Sequence, residues 1–193
     1  MELLKYTGIA GPIIMLLSNL FLALKTPKFN LGKQPVSLFG TWSKTKSVFT
    51  FSYAFFVVCE VIFTLTIFTK LDLWRNPLLT TLVSASVIAG IIPCLIPAKG
   101  RLLPIHYGSA IMGFGLSCLT QLFISVAVAA RETRPGLLAI GFSLANLLVI
   151  LNFFRKKYDT LTRKYMFGLT GTQELTYILG LLLWSGTLIA ILK

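Results

Sequence analysis

SVFTFSYAFFVVCEVIFTLTIFT runs from Ser47 to Thr69, with Lys46 before it and Lys70 after it, and Glu60 is its sole charged residue. A helix that crosses a hydrocarbon core needs about 20 mostly apolar residues at about 1.5 Å rise each, and this stretch meets that length without a break. The rest of the chain repeats the pattern. Of its 193 residues 55% are hydrophobic and only 12% charged, with a mean hydropathy of +0.82. A soluble domain carries roughly a quarter charged residues, so water is the wrong solvent for this composition.

Working outward, Lys, Arg, Pro and Gly clusters divide the sequence into spans at 6–24, 47–69, 77–96, 105–129, 137–154 and 173–192. The expected fold is all-α: a polytopic membrane protein, one domain, built as a bundle of about six transmembrane helices, with no room for a domain outside the bilayer. Residues 70–76, 97–104 and 130–136 are tight turns, which makes spans two to five a meander of antiparallel neighbours. The first span follows Met1 to Lys5 and lacks a small-x-small cleavage site, so it reads as an uncleaved span, not a signal peptide.

The net charge of +12 does not mark nucleic acid, because the 18 Lys and Arg residues punctuate the apolar runs instead of lining one amphipathic face. Anionic lipid headgroups are the expected partners. Counted on alternate sides, one end carries Lys5, Lys70, Arg75, Arg131, Arg134 and Lys193, and the other carries the remaining twelve. The positive-inside rule then makes the richer end cytoplasmic and both termini external. Within it, Arg155, Lys156, Lys157, Arg163 and Lys164 are the expected anionic-lipid contacts. Tyr158, Leu161, Tyr165, Met166 and Leu169 recur among them at helical spacing, as in an interfacial helix, although a solvated basic loop fits the same residues.

Small residues at four-residue intervals predict packed seams at Ser109, Gly113 and Ser117, at Ala85 and Ala89 beside Ser86 and Gly90, and at Gly141 and Ala145. Such seams also suit a membrane protein partner. Pro12 and Pro93 each remove a backbone hydrogen bond inside a span, so kinks are expected there. Cys59, Cys94 and Cys118 fall inside apolar runs without paired spacing and read as reduced small hydrophobes.

Polar residues at depth are the candidates for function. A charge at the centre of a span costs about 2.5 to 3.5 kcal/mol, so Glu60 is expected to be protonated, paired or facing water. Counted at about 1.5 Å per residue from the basic end, Glu60 lies about 20 Å deep, Gln121 about 24 Å and Asn146 about 13 Å, close enough to form one midplane cluster. That cluster reads either as a proton, ion or ligand site, or as a neutral carboxyl held by interhelical hydrogen bonds. His106, the single histidine, sits only about 2 Å deep by the same count, near the end that also holds Asn19 and Asn152, and the three form a candidate interfacial polar site.

No catalytic residue, metal ligand set or cofactor is assigned. One histidine cannot build a zinc site of several His and Asp ligands, and GxSxG, HExxH and GxxxxGK[ST] are all missing. The balance is against an enzyme.

The first long gap contains Lys33, Gln34, Pro35 and Ser37, where Pro35 fixes φ and Ser37 is able to bond its own backbone, as in an ordered re-entry loop. With the Gly11-Pro12 pair, the Lys33-Gln34-Pro35-x-Ser37 loop with Gly40, and Pro97 followed by His106 and Ala110, the chain resembles an uncharacterised prokaryotic family of six-helix membrane proteins. That family is loosely similar to the Frag/DRAM/Sfk membrane proteins. The family pattern has an acidic residue after the loop serine, where this chain has Leu38. The resemblance implies a six-helix fold in a prokaryotic inner membrane and no established activity. Lipid-linked roles in the distant relatives imply lipid handling or membrane organisation, with a proton-coupled carrier or an accessory subunit as alternatives. The eukaryotic group places its first long loop outside, opposite to the orientation that the charge count gives.

Overall fold

In the computed structural model the described residues are 2–96, 100–152, 157–159, 164–166 and 169–191. They form six long helices: α1 (Thr7–Lys25), α2 (Lys46–Lys70), α3 (Pro77–Leu95), α4 (Leu103–Ala129), α5 (Thr133–Leu151) and α6 (Gly171–Ile191). All six are long and apolar enough to cross a membrane. Their ends fall within four residues of the expected spans, the largest difference being the start of α5 at 133 instead of 137. Arg134 and Pro135 occupy the first turn of α5, where a missing N–H breaks no helical hydrogen bond.

Local chemistry sets these ends. The Asn76 side chain accepts a hydrogen bond from the Leu79 amide at 3.1 Å while Pro77 takes the first helical position, so α3 starts with a capped turn. The preceding turn bends through Asp72 at φ 50°, a left-handed conformation that Asp tolerates better than most residues. Large apolar side chains face outward on every helix, among them Phe51 at 72% and Leu95 at 76% exposure. A monomer in water rarely shows such an apolar surface, whereas hydrocarbon accepts it without penalty. The chain is a polytopic membrane protein.

The helices form a ring in which α1 packs on α2 and α6, α6 on α5, α5 on α4 and α4 on α3. Only the α2–α3 contact is light, so the expected meander is tight from α3 to α5 and loose at its first step. Close approach explains the tight seams. A β-carbon on Gly113 would lie 3.0 Å from the Gly90 amide, and one on Gly11 would lie 2.7 Å from Cys59 Cβ. Gly141 and Ala145, expected in a seam, are exposed instead, and α5 packs through Gly136, Ala139, Ser143 and Asn146. Two of those four, Ser143 and Asn146, are polar, and they mark the face of α5 that turns inward.

Residues 26–45 fold into a plug over the basic end. Phe29, Phe39 and Trp42 cluster, with the Phe29 and Phe39 rings 4.3 Å apart, above the buried Leu22 and Val36. Backbone bonds tie the plug to the start of α6: Gly171 N donates to Gln34 O at 2.7 Å and Thr172 N to Leu31 O at 2.9 Å. At residues 157–159 and 164–166, where an interfacial helix or a solvated basic loop was expected, the described residues are in strands. Lys157–Asp159 and Lys164–Met166 pair as an antiparallel ribbon, with Tyr158 opposite Tyr165. Tyrosine favours a pleated strand, and cross-strand pairing satisfies backbone groups that a short isolated helix leaves open. Of the expected lipid contacts, Lys157 and Lys164 lie in this ribbon, and Arg155, Lys156, Arg163 and also Leu161 lie outside the described residues.

Candidate functional site: a cavity from the basic end to mid-depth

Close packing of α1 on α2 determines where Glu60 points. Gly8 and Gly11 bring α1 against Phe63 and Cys59, and a β-carbon on Gly8 would meet the Phe63 ring at 2.6 Å. The next residue on a helix is turned by about 100°, so Glu60 is carried away from α1 and lines a cavity between α2, α3, α4 and α6. Glu60 lies 14 residues from Lys46 and 10 from Lys70, about 21 Å and about 15 Å along the axis.

This inner chamber encloses about 730 Å³, counting its open sides, and is lined by Val57, Val61, Val83, Val87, Phe114, Leu181 and Trp184 with Glu60, Ser117 and Gln121. A second chamber of about 750 Å³ lies toward the basic end, where Val36, Ser37, Phe49, His106 and Glu174 form its walls. Five residues, Tyr53, Phe56, Ala110, Phe114 and Tyr177, line both, so the chambers adjoin across this shared wall. A third recess, walled by Lys46, Thr50, Cys94, Ser37 and His106, opens beside the plug.

The midplane cluster assembles in part. Asn146 Nδ2 donates to Gln121 Oε1 at 3.0 Å, and Gln121 Nε2 donates to Ser117 Oγ at 3.2 Å and to the Tyr177 hydroxyl at 3.5 Å. Counting from the basic ends separated Gln121 and Asn146 by about 11 Å, because α4 and α5 reach unequally far there. Counted from their shared turn, Gln121 is 8 residues before Ala129 and Asn146 is 13 after Thr133, a difference of only about 7.5 Å. One turn farther, Ser125 Oγ meets Ser143 Oγ at 3.1 Å and accepts from Trp184 Nε1 at 2.8 Å. These polar groups are spent on one another and hold α4, α5 and α6 together.

Glu60 stands apart from that network. It lines the same chamber as Gln121, but its Oε1 is buried and receives no hydrogen bond among the described residues, and it has no ion pair there. Among the described residues no interhelical hydrogen bond to Glu60 is formed.

The interfacial trio does not assemble as a unit. His106 lines the outer chamber and its Nδ1 lies 2.6 Å from Ile96 O. A carbonyl only accepts, so Nδ1 carries the proton, and in the neutral ring Nε2 is left as an acceptor. Asn19 is fully buried on α1 with neither side-chain polar atom bonded among the described residues, and Asn152 at the end of α5 donates to Leu148 O at 2.9 Å. No hydrogen bond joins the three among the described residues.

In the loop motif, Gln34 is buried and its Oε1 accepts from Asn30 N at 2.9 Å, while Pro35 holds extended backbone (φ −71°, ψ 147°) ahead of the Val36–Gly40 turn. Lys33 is exposed. Ser37 departs from expectation: its Oγ bonds no backbone group and is buried at the cavity wall.

Several site residues were not foreseen. Ser125 follows Gln121 by four residues and Ser143 precedes Asn146 by three, helical spacings that put each pair on one face. Glu174, whose Oε2 accepts from Val36 N at 2.6 Å across 138 residues, left no such signal. Among the described residues no three His, Cys, Asp or Glu side chains gather as a metal site. Comparison of the chain with protein-family models, curated proteins and solved structures finds no match.

Proposed function

We propose that this protein handles lipids, admitting part of an amphiphilic molecule from the bilayer into its interior. The observation that supports this most is the pair of adjoining chambers, one toward the basic end and one at mid-depth, with mostly apolar walls and few polar groups. An acyl chain suits the apolar walls. Ser37, His106 and the exposed Lys46 at the outer end supply a hydroxyl, an imidazole and a cation for a headgroup. The α2–α3 seam is the weakest in the ring, joined by the Tyr53 hydroxyl donating to Gly90 O at 3.2 Å, and it borders the inner chamber. That seam is the entry route from lipid. In this reading the basic end, with twelve of the 18 Lys and Arg residues, faces the cytoplasm against anionic headgroups, and the protein resides in a prokaryotic inner membrane.

Ala110→Phe tests the reading, because Ala110 lines both chambers and the added ring takes up space there. Native mass spectrometry of the wild-type protein released from lipid should show a retained amphiphile that Ala110→Phe loses while keeping its thermal midpoint. Equal retention by both proteins, or none by either, would sink the reading. A second reading, a proton-coupled carrier, is favoured by the unbonded Glu60 carboxyl.

A further inference from the structure

Among the described residues Glu60 is the only acidic or basic side chain in the interior of a long helix, and the walls of its chamber offer it no cation. The amide groups at the same level are already bonded to each other and to hydroxyls. The negative charge of an ionised Glu60 therefore has to be balanced by something that enters, either a proton or a ligand cation.

The rings at the waist of the cavity bear on the choice. Phe56, Phe114, Tyr177 and, deeper, Trp184 line the chamber that Glu60 faces. Aromatic faces attract a weakly hydrated organic cation strongly where water is excluded, and they accept its apolar body equally well. An anionic headgroup at this depth would instead meet Glu60 with like charge. Access from the bilayer suits the same class, since α3, which borders the chamber, carries no charged residue along its length.

We infer that the inner chamber binds a membrane-dissolved organic cation, an amine or quaternary ammonium with an apolar body, which pairs with Glu60 and displaces its proton. This rests on the reading that the cavity admits amphiphiles. The exchange balances simply: the carboxylic acid loses its O–H proton to water, and the resulting carboxylate pairs with the entering cation, so net charge in the chamber is unchanged.

Other titratable groups around Glu60 are Tyr53 and Cys59 on α2, Cys118 on α4 and Tyr177 on α6. The sole titratable residue of α1 is Lys25 and that of α3 is Cys94, both at the basic end. At the outer end of the cavity stand Glu174, Lys46 and His106. None of these offers a second carboxyl at the depth of Glu60, so one proton is released per cation.

The test uses the whole protein in lipid nanodiscs, with dodecyltrimethylammonium as the cation and dodecanol as its neutral counterpart, followed by calorimetry and by proton release into weak buffer. The wild type should bind the cation at least tenfold more tightly than dodecanol, release about one proton, and gain affinity as pH rises because protons compete for the same carboxylate. Glu60→Gln should keep dodecanol binding and its thermal midpoint, and should lose the cation preference and the proton release. Equal affinity of the wild type for both probes, or a cation preference that survives Glu60→Gln, overturns the inference and leaves amphiphile binding standing. If neither probe binds wild type or variant, and Ala110→Phe changes nothing, amphiphile binding falls and the inference with it.

Discussion

Asn146 Oδ1 occupies the space that a β-carbon on Gly180 would fill. The α5–α6 seam depends on that fit, because it lets Asn146 turn its amide nitrogen toward Gln121. Gly180→Ala should displace the Asn146 amide and lower stability by about 1–3 kcal/mol, the usual cost of overpacking. Gly141→Ala, on the outer face of the neighbouring helix with open space beside it, should be neutral or stabilising by up to about 1 kcal/mol. Unfolding titrations in mixed micelles compare the two, and equal losses would refute the close-fit argument.

Ser125 is the hub between three helices, accepting from Trp184, meeting Ser143 and donating to Gln121 O at 2.6 Å. Side-chain hydrogen bonds between membrane helices average about 0.6 kcal/mol and reach about 1.7. Ser125→Ala should fall in that range and change the Trp184 fluorescence. A double-mutant cycle with Trp184→Phe isolates the bond, and a coupling energy of zero would show that it carries no weight.

The carboxylate of Glu174 holds the Val36 amide at 2.6 Å and so pins the plug to α6. A hydrogen bond to a charged group is worth about 1.5–3 kcal/mol. Glu174→Ala should therefore speed hydrogen exchange at the Val36 amide by at least about tenfold and expose residues 26–45 to protease. Unchanged exchange would mean that the Gly171 and Thr172 backbone bonds hold the plug unaided.

At the opposite end, Glu2 is bonded by Lys5 at 2.8 Å and Lys70 at 3.1 Å, which together push its carboxyl pKa down to about 2 from 4.5. A depressed acid supports the fold wherever the pH exceeds its unfolded value, and that support disappears as pH falls through the folded value. The link between residue 2 and α2 should thus persist at pH 4 and be lost near pH 2. Carbon NMR of the Glu2 carboxyl checks this, and an ordinary midpoint near 4.5 would contradict the ion pairs.

The helix ends were legible because charged side chains are costly in hydrocarbon, and Lys and Arg clustered with Pro and Gly mark the boundaries. The Gln121–Asn146 bond was legible for the same reason: buried amides seek each other where there is no water. The inward faces of the helices were less so. Lipid and protein interior are equally apolar, so an apolar stripe does not tell inside from outside, and Gly141 and Ala145 looked like a seam although they face outward. Only the polar Ser143 and Asn146 reveal the true inner face of α5. The Tyr158–Tyr165 ribbon and the Glu174–Val36 bond depend on pairing between separate segments, which no local spacing encodes.

The tie between the plug and α6 also dictates an order of assembly. The walls of the outer chamber come from both the first loop and the last helix, so a ribosome must translate nearly all of the described residues before that chamber exists. Until then Glu60 sits in a half-built ring open toward α6, and an arrested nascent chain would bind nothing there. The proposed capture of a ligand beside Glu60 therefore requires that α6 has already closed the ring.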